Sequence, residues 1–157
     1  MGWVLYVQSY RALRGQGLLF LVLLWFLWFL TVSAGTLVSP VLPLIEDEFA
    51  VGHARATALV SLISLGSAAA TFVFGFLASV AGYKRSILVA FLVSAMLFLL
   101  VPRAGGFFHL ALLFLMIGVA NGIYYPCSIP VITEHYHYTV WGKTLAIHDS
   151  AAAISVF

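Results

Sequence analysis

Asn121, Tyr124, Tyr125 and Ser128 stand in a stretch that is otherwise almost wholly apolar, and they follow one another at i, i+3, i+4 and i+7. On a helix that spacing gathers an amide, two phenols and a hydroxyl along one face. Such groups give and take hydrogen bonds without carrying charge. If the stretch crosses a membrane, hydrocarbon cannot satisfy them, so the stripe must face protein or a water-filled cavity. Two readings follow: a solute-contacting face, or a face that bonds to a neighbouring helix. Thr31, Gly35 and Ser39 repeat every fourth residue in the first apolar run and fit either cavity lining or packing. His148 and Asp149 are ionisable groups close to or inside another apolar segment, where a titratable side chain is a functional candidate by default. Histidine changes charge near neutral pH, which makes proton coupling through His148 conceivable. Adjacent residues point about 100° apart on a helix, so the pair need not interact. Placement at the interface, with both in water, is the plainer alternative.

Other chemistry finds little support. No phosphate-binding loop, nucleophile–base–acid order or facing carboxylate pair is present, so an enzyme is not expected. His135, His137 and Glu134 do not complete a metal site, and Cys127 is the single cysteine, which excludes an internal disulfide. No cofactor is expected. Glu46, Asp47 and Glu48 read as a solvated cluster at a helix start.

The elements that must position these residues follow from composition. The chain is 64% hydrophobic and 8% charged, with a mean hydropathy of +1.12. A soluble domain of 157 residues could not cover its surface with so few polar groups, so the chain reads as an integral membrane protein. A net charge of +2 without a basic tract gives no basis for nucleic-acid binding. Spans are expected over about 17–41, 56–81, 84–102 and 107–133, each near the roughly 20 apolar residues a bilayer requires. A fifth begins at 140 and reaches the last residue, 157, before it could cross, which suggests a longer parent protein. Short connections make consecutive helices the expected antiparallel neighbours. Arg11, Arg14, Lys84, Arg85 and Lys143 fall on one side, against Arg55 and Arg103 on the other. That asymmetry puts the N-terminus in the cytoplasm.

Between the second and third spans lies GFLASVAGYKR, residues 75–85. Ser67, Thr71, Gly75 and Ser79 form an i+4 stripe of small residues that would let another helix approach, and Gly82 permits a tight exit. The stretch resembles the loop signature of the major facilitator superfamily. Gly75, Gly82, Lys84 and Arg85 match it. Ser79 stands where that family usually has Asp, Val80 where it has a basic residue, and Tyr83 where a basic residue is frequent. SPVLPLIEDEF, GVANGIYYP and WGKTLAIHDSAA resemble that family's first-helix exit, fourth helix and approach to the fifth helix, in the right order. The resemblance implies two six-helix halves that alternate access to a midplane site, with the first and fourth helices lining the cavity. It also implies a role in locking the halves together for the Ser79 position, which here has no charge. Phe114 stands where an Arg is frequent in the family's fourth helix, so no proton-coupling Arg carries over.

The expectation is therefore an all-α integral membrane protein, the incomplete N-terminal half of such a helical bundle, in the cell membrane. Its expected partners are a small-molecule substrate, the lipid bilayer and a coupling proton or ion. The cavity candidates are Asn121, Tyr124, Tyr125, Ser128, Thr31, Ser39, His148 and Asp149, and the conformational motif is Gly75, Ser79, Gly82, Lys84 and Arg85. The rival is a small four-span structural or oligomeric membrane protein that transports nothing.

Overall fold

The computed structural model describes residues 15–156, and every regular element among them is helical. Arg11 and Arg14, two of the expected anchoring charges, lie outside that range. The first apolar run is a 34-residue stretch, Gln16–Phe49. It breaks at Leu37 into α1 (Gln16–Thr36) and α2 (Val38–Phe49). Pro40 and Pro43 explain the break, because neither has an N–H for the carbonyl four residues earlier. The helix continues well past residue 41. Glu46, Asp47 and Glu48 therefore lie in the last turns of α2, not at a helix start. A helix C-terminus disfavours negative charge. His53 Nδ1 sits 2.7 Å from Glu46 Oε1, a partner that offsets part of that cost. Ala50, at φ 48, ends the helix.

Next come α3 (His53–Ala81) and α4 (Tyr83–Leu100), joined through Gly82 alone at φ 85, where a side chain would be strained. A short 3-10 turn at Val101–Arg103 follows, with Pro102 inside it. The fourth stretch is α5 (Phe107–Gly122) and α6 (Tyr124–His135), interrupted at Ile123. Pro126 cannot donate to the Gly122 carbonyl, and Thr71 Oγ1 donates to that carbonyl instead, at 2.9 Å. A second 3-10 turn, Tyr138–Val140, leads into α7 (Trp141–Ser155).

Four of these stretches are long and apolar enough to cross a membrane. Their outward faces carry large apolar side chains such as Phe72 and Phe76 on α3 and Leu92 and Met96 on α4, all well exposed. In water that would be an aggregation surface; facing acyl chains it is ordinary.

Consecutive helices are not the closest partners. The most extensive packing joins α3 to α5, and α1 to α7. The first pair is brought together by glycines. A Cβ at Gly66 would overlap the backbone of Leu115, one at Gly118 that of Ile63, and one at Gly122 that of Ser67. Backbones this close need small residues on both sides, and a short connection demands only that helix ends be near. Trp25 Nε1 donates to Ser150 Oγ at 3.0 Å across the second pair.

The apolar interior falls into two clusters. One holds Leu21, Leu24, Ala78, Ile87, Tyr124, Cys127 and Val131, and the other Val38, Leu42, Ala56, Leu59, Ile63, Leu110 and Ile117. Each long helix contributes one end to each cluster. Between them, polar or small residues stand on four helices: Thr31 on α1, Ser67 and Thr71 on α3, Ser94 on α4, Asn121 and Gly122 on α5.

Candidate functional site

This middle layer surrounds a cavity of about 420 Å³, within the range usual for small-molecule sites. Three walls form it. From α1 come Trp28, Thr31, Val32 and Gly35, at i, i+3, i+4 and i+7. From α3 come Ile63, Ser64, Ser67 and Thr71, and from α5 and α6 come Asn121, Gly122 and Tyr125. Among the described residues, no Asp, Glu, Lys, Arg or His side chain lines it. A slightly larger recess of about 490 Å³, against α2 and the start of α5, is lined almost wholly by apolar groups with Glu48 as its one carboxylate. It offers a polar solute few hydrogen bonds.

The polar groups of the cavity are oriented by local bonds. Ser94 Oγ donates to Asn121 Oδ1 at 2.9 Å, which leaves the Asn121 NH₂ free to donate. Thr31 and Ser64 donate to carbonyls one turn back on their own helices, those of Leu27 and Val60, at 2.9 and 3.2 Å. Their oxygens keep lone pairs for a guest. Trp28 and Tyr125 supply apolar ring surface, with centroids 5.4 Å apart.

Behind the Trp28 wall lies a second, fully buried cluster. Tyr124 is 1% exposed and His148 0% exposed. The rings of Trp28, Tyr124 and His148 lie nearly parallel, with centroids 5.4 to 5.9 Å apart. The Tyr124 hydroxyl donates to the Leu24 carbonyl at 2.7 Å and lies 3.1 Å from His148 Nε2. His148 Nδ1 is 2.9 Å from Asp149 Oδ1, so the two neighbours do pair. The indole N–H of Trp28 is buried without a partner.

The structure therefore divides the residues singled out from sequence. Thr31, Asn121 and Tyr125 line the cavity. Tyr124 and His148 are packed behind its wall, and Asp149 keeps 48% of its side chain exposed. Ser128 is buried and donates to the Tyr125 carbonyl at 3.1 Å. Ser39 is exposed on α2, away from the cavity. Of the small-residue stripe, Ser67 and Thr71 meet α5, whereas Gly75 and Ser79 face open space among the described residues. Lys84 and Arg85 are exposed on the first turn of α4. Sequence reasoning read Trp28 as a bulky lipid or bundle contact and Ser67 and Thr71 as packing residues, and it did not single out Ser64. The available signal was Trp28 standing three residues before Thr31 and seven before Gly35.

No curated protein and no solved structure gave a significant match to the chain. The family model described as Major Facilitator Superfamily matches residues 18–157, which take in every span, the polar layer and the loop motif. An all-helical, multi-pass architecture with a polar middle layer agrees with that match, and the chain belongs to the major facilitator superfamily of membrane transporters.

Proposed function

We propose that the chain forms the solute-facing wall of a secondary transporter that moves a small, uncharged, hydrogen-bonding solute by alternating access. The observation that carries this reading is the cavity's lining: hydroxyls, an amide and two aromatic rings, with no charged group among the described residues. Moving a formal charge into such a site leaves it without a counter-ion, at a cost of several kcal/mol on the order of a buried ion's desolvation. An uncharged solute needs only hydrogen bonds, and these walls supply both donors and acceptors. Family membership supports transport in general, and the ring faces of Trp28 and Tyr125 suit a solute with one apolar side. The reading includes the cell membrane as its location, with the α3–α4 turn and its Lys84 and Arg85 on the cytoplasmic side.

The test is solute protection. Ser67→Cys in a Cys127→Ser background places one thiol in the cavity wall. A panel of uncharged sugars, polyols and amides, each paired with a cationic and an anionic analogue (glucose with glucosamine and glucuronate, for example), is scored for slowing maleimide labelling in nanodiscs. Uncharged members should protect and their charged analogues should not. Protection by a charged analogue in preference to its neutral counterpart contradicts the reading.

A further inference from the structure

Behind Trp28, the buried Tyr124 and His148 make, with the half-exposed Asp149, three contacts that two protons do not satisfy together. Three contacts run in series from the Leu24 carbonyl to Tyr124 Oη, from there to His148 Nε2, and from His148 Nδ1 to Asp149 Oδ1. Each needs one hydrogen. The two ends, a carbonyl and a carboxylate, accept only. Tyr124 brings one proton and a neutral imidazole brings one, so two protons serve three contacts. All three are satisfied together only when a third proton is present, held by the His148–Asp149 pair. Without it, and with Nδ1–H on Asp149, the Nε2 lone pair faces the Tyr124 oxygen. The hydroxyl must then choose between Nε2 and the Leu24 carbonyl. The groups that reach His148 are few. Tyr124 comes from α6, the Trp28 ring from α1, and Asp149 from its own helix; among the described residues, Asp149 is the charged side chain whose field bears on it.

We propose that His148 and Asp149 form a proton-binding site whose occupancy sets the direction of the Tyr124 hydroxyl. With the proton bound, Tyr124 donates to the Leu24 carbonyl and ties α6 to α1. When the proton leaves, the hydroxyl turns to Nε2 and the carbonyl is released. Leu24 lies one helical turn before Trp28, which stacks on both Tyr124 and His148 and forms part of the cavity wall. A proton taken up in the buried cluster is thus felt at the solute site, and by linkage the solute alters proton affinity in return. The ligand of this second site is a proton, whichever solute the cavity takes.

The sequence offers a direct test. It contains two Leu–Trp pairs, Leu24–Trp25 and Leu27–Trp28. A chain labelled with carbonyl-¹³C leucine and ¹⁵N-tryptophan therefore gives two carbonyl–nitrogen correlations, and Leu27→Val identifies which is which. In the same chain ¹⁵N-histidine reports protonation, with His148 assigned by its loss in His148→Gln. Both signals are followed in nanodiscs from about pH 4 to about pH 9, the span over which His and Asp titrate. The Leu24 carbonyl should shift with the same midpoint as His148. In Tyr124→Phe, which keeps the ring and loses the hydroxyl, His148 should still titrate while Leu24 stays flat. The proposal is overturned if both His148 ring nitrogens keep the same protonation throughout, with neither a charge nor a tautomer change, if Leu24 in the parent chain ignores the titration, or if Leu24 still follows it in Tyr124→Phe.

Discussion

In the proposed site, Asn121 is held by a bond that occupies only one of its ends. Ser94 fixes the carbonyl oxygen and leaves the NH₂ at the cavity. Asn121→Leu should weaken solute binding by about tenfold or more, the effect of losing one hydrogen bond and leaving Ser94 unpaired. Titration of the solute that protects the Ser67→Cys thiol checks this; unchanged protection would remove Asn121 from the site. Thr71 plays a different part, since its hydroxyl serves the carbonyl that Pro126 leaves free. Thr71→Val should lower unfolding stability in detergent by about 0.6 to 1.7 kcal/mol, the scale of hydrogen bonds between membrane helices. No loss would mean that the Gly122 carbonyl finds another partner. The stripe of Asn121, Tyr124, Tyr125 and Ser128 was legible from spacing, but which member faces the guest was not. Neighbours sit about 100° apart, so Tyr125 turns to the cavity while Tyr124 turns inward to α1 and α7. Trp28 was hidden for another reason: in an apolar run an indole looks like lipid or bundle contact until its neighbours are known.

The α3–α5 pair shows how a few backbone positions set an element's place. Gly66, Gly118 and Gly122 are in contact with the opposite backbone, whereas a Cβ at Gly75 would meet nothing within 4 Å. Gly118→Ala should separate the helices or strain them, at about 1 to 3 kcal/mol as for other overpacked sites. Gly75→Ala should change thermal stability little and slightly favour the helix. Thermal unfolding of both variants in one detergent decides this, and equal losses would contradict the packing. The existence of the helices and the turn at Gly82 could be read from apolar runs and one glycine. The pairing could not, because a small-residue stripe shows that something approaches without showing which helix. Its upper half, Ser67 and Thr71, meets α5, and its lower half is open. The length of the first helix was misjudged because SPVLPLI looked like an exit, yet two prolines within a turn bend a helix there without ending it.

At the scale of the molecule, a layer of uncharged polar groups lies between two apolar clusters, and the asymmetry of Lys and Arg is the basis of the proposed orientation in the bilayer. Ala81→Cys and Asp47→Cys, both at exposed positions at the C-terminal ends of α3 and α2, should label from opposite sides of sealed vesicles in a Cys127→Ser background. Labelling of both from one side would overturn the orientation. The most direct test of the central claim is the wetness of the middle layer. Single cysteines at Ser64, Ser67 and Tyr125, which line the cavity, and at Leu65 and Phe72, which are exposed on the outer side of the same stretch of α3, are exposed to a small charged thiol reagent in nanodiscs. A thiol reacts quickly only as the thiolate, which needs water. The cavity cysteines should react and the outward-facing pair should stay silent. Silent cavity cysteines beside reactive outward ones would show that the polar layer is a dry packing face, and that this chain holds no solute there.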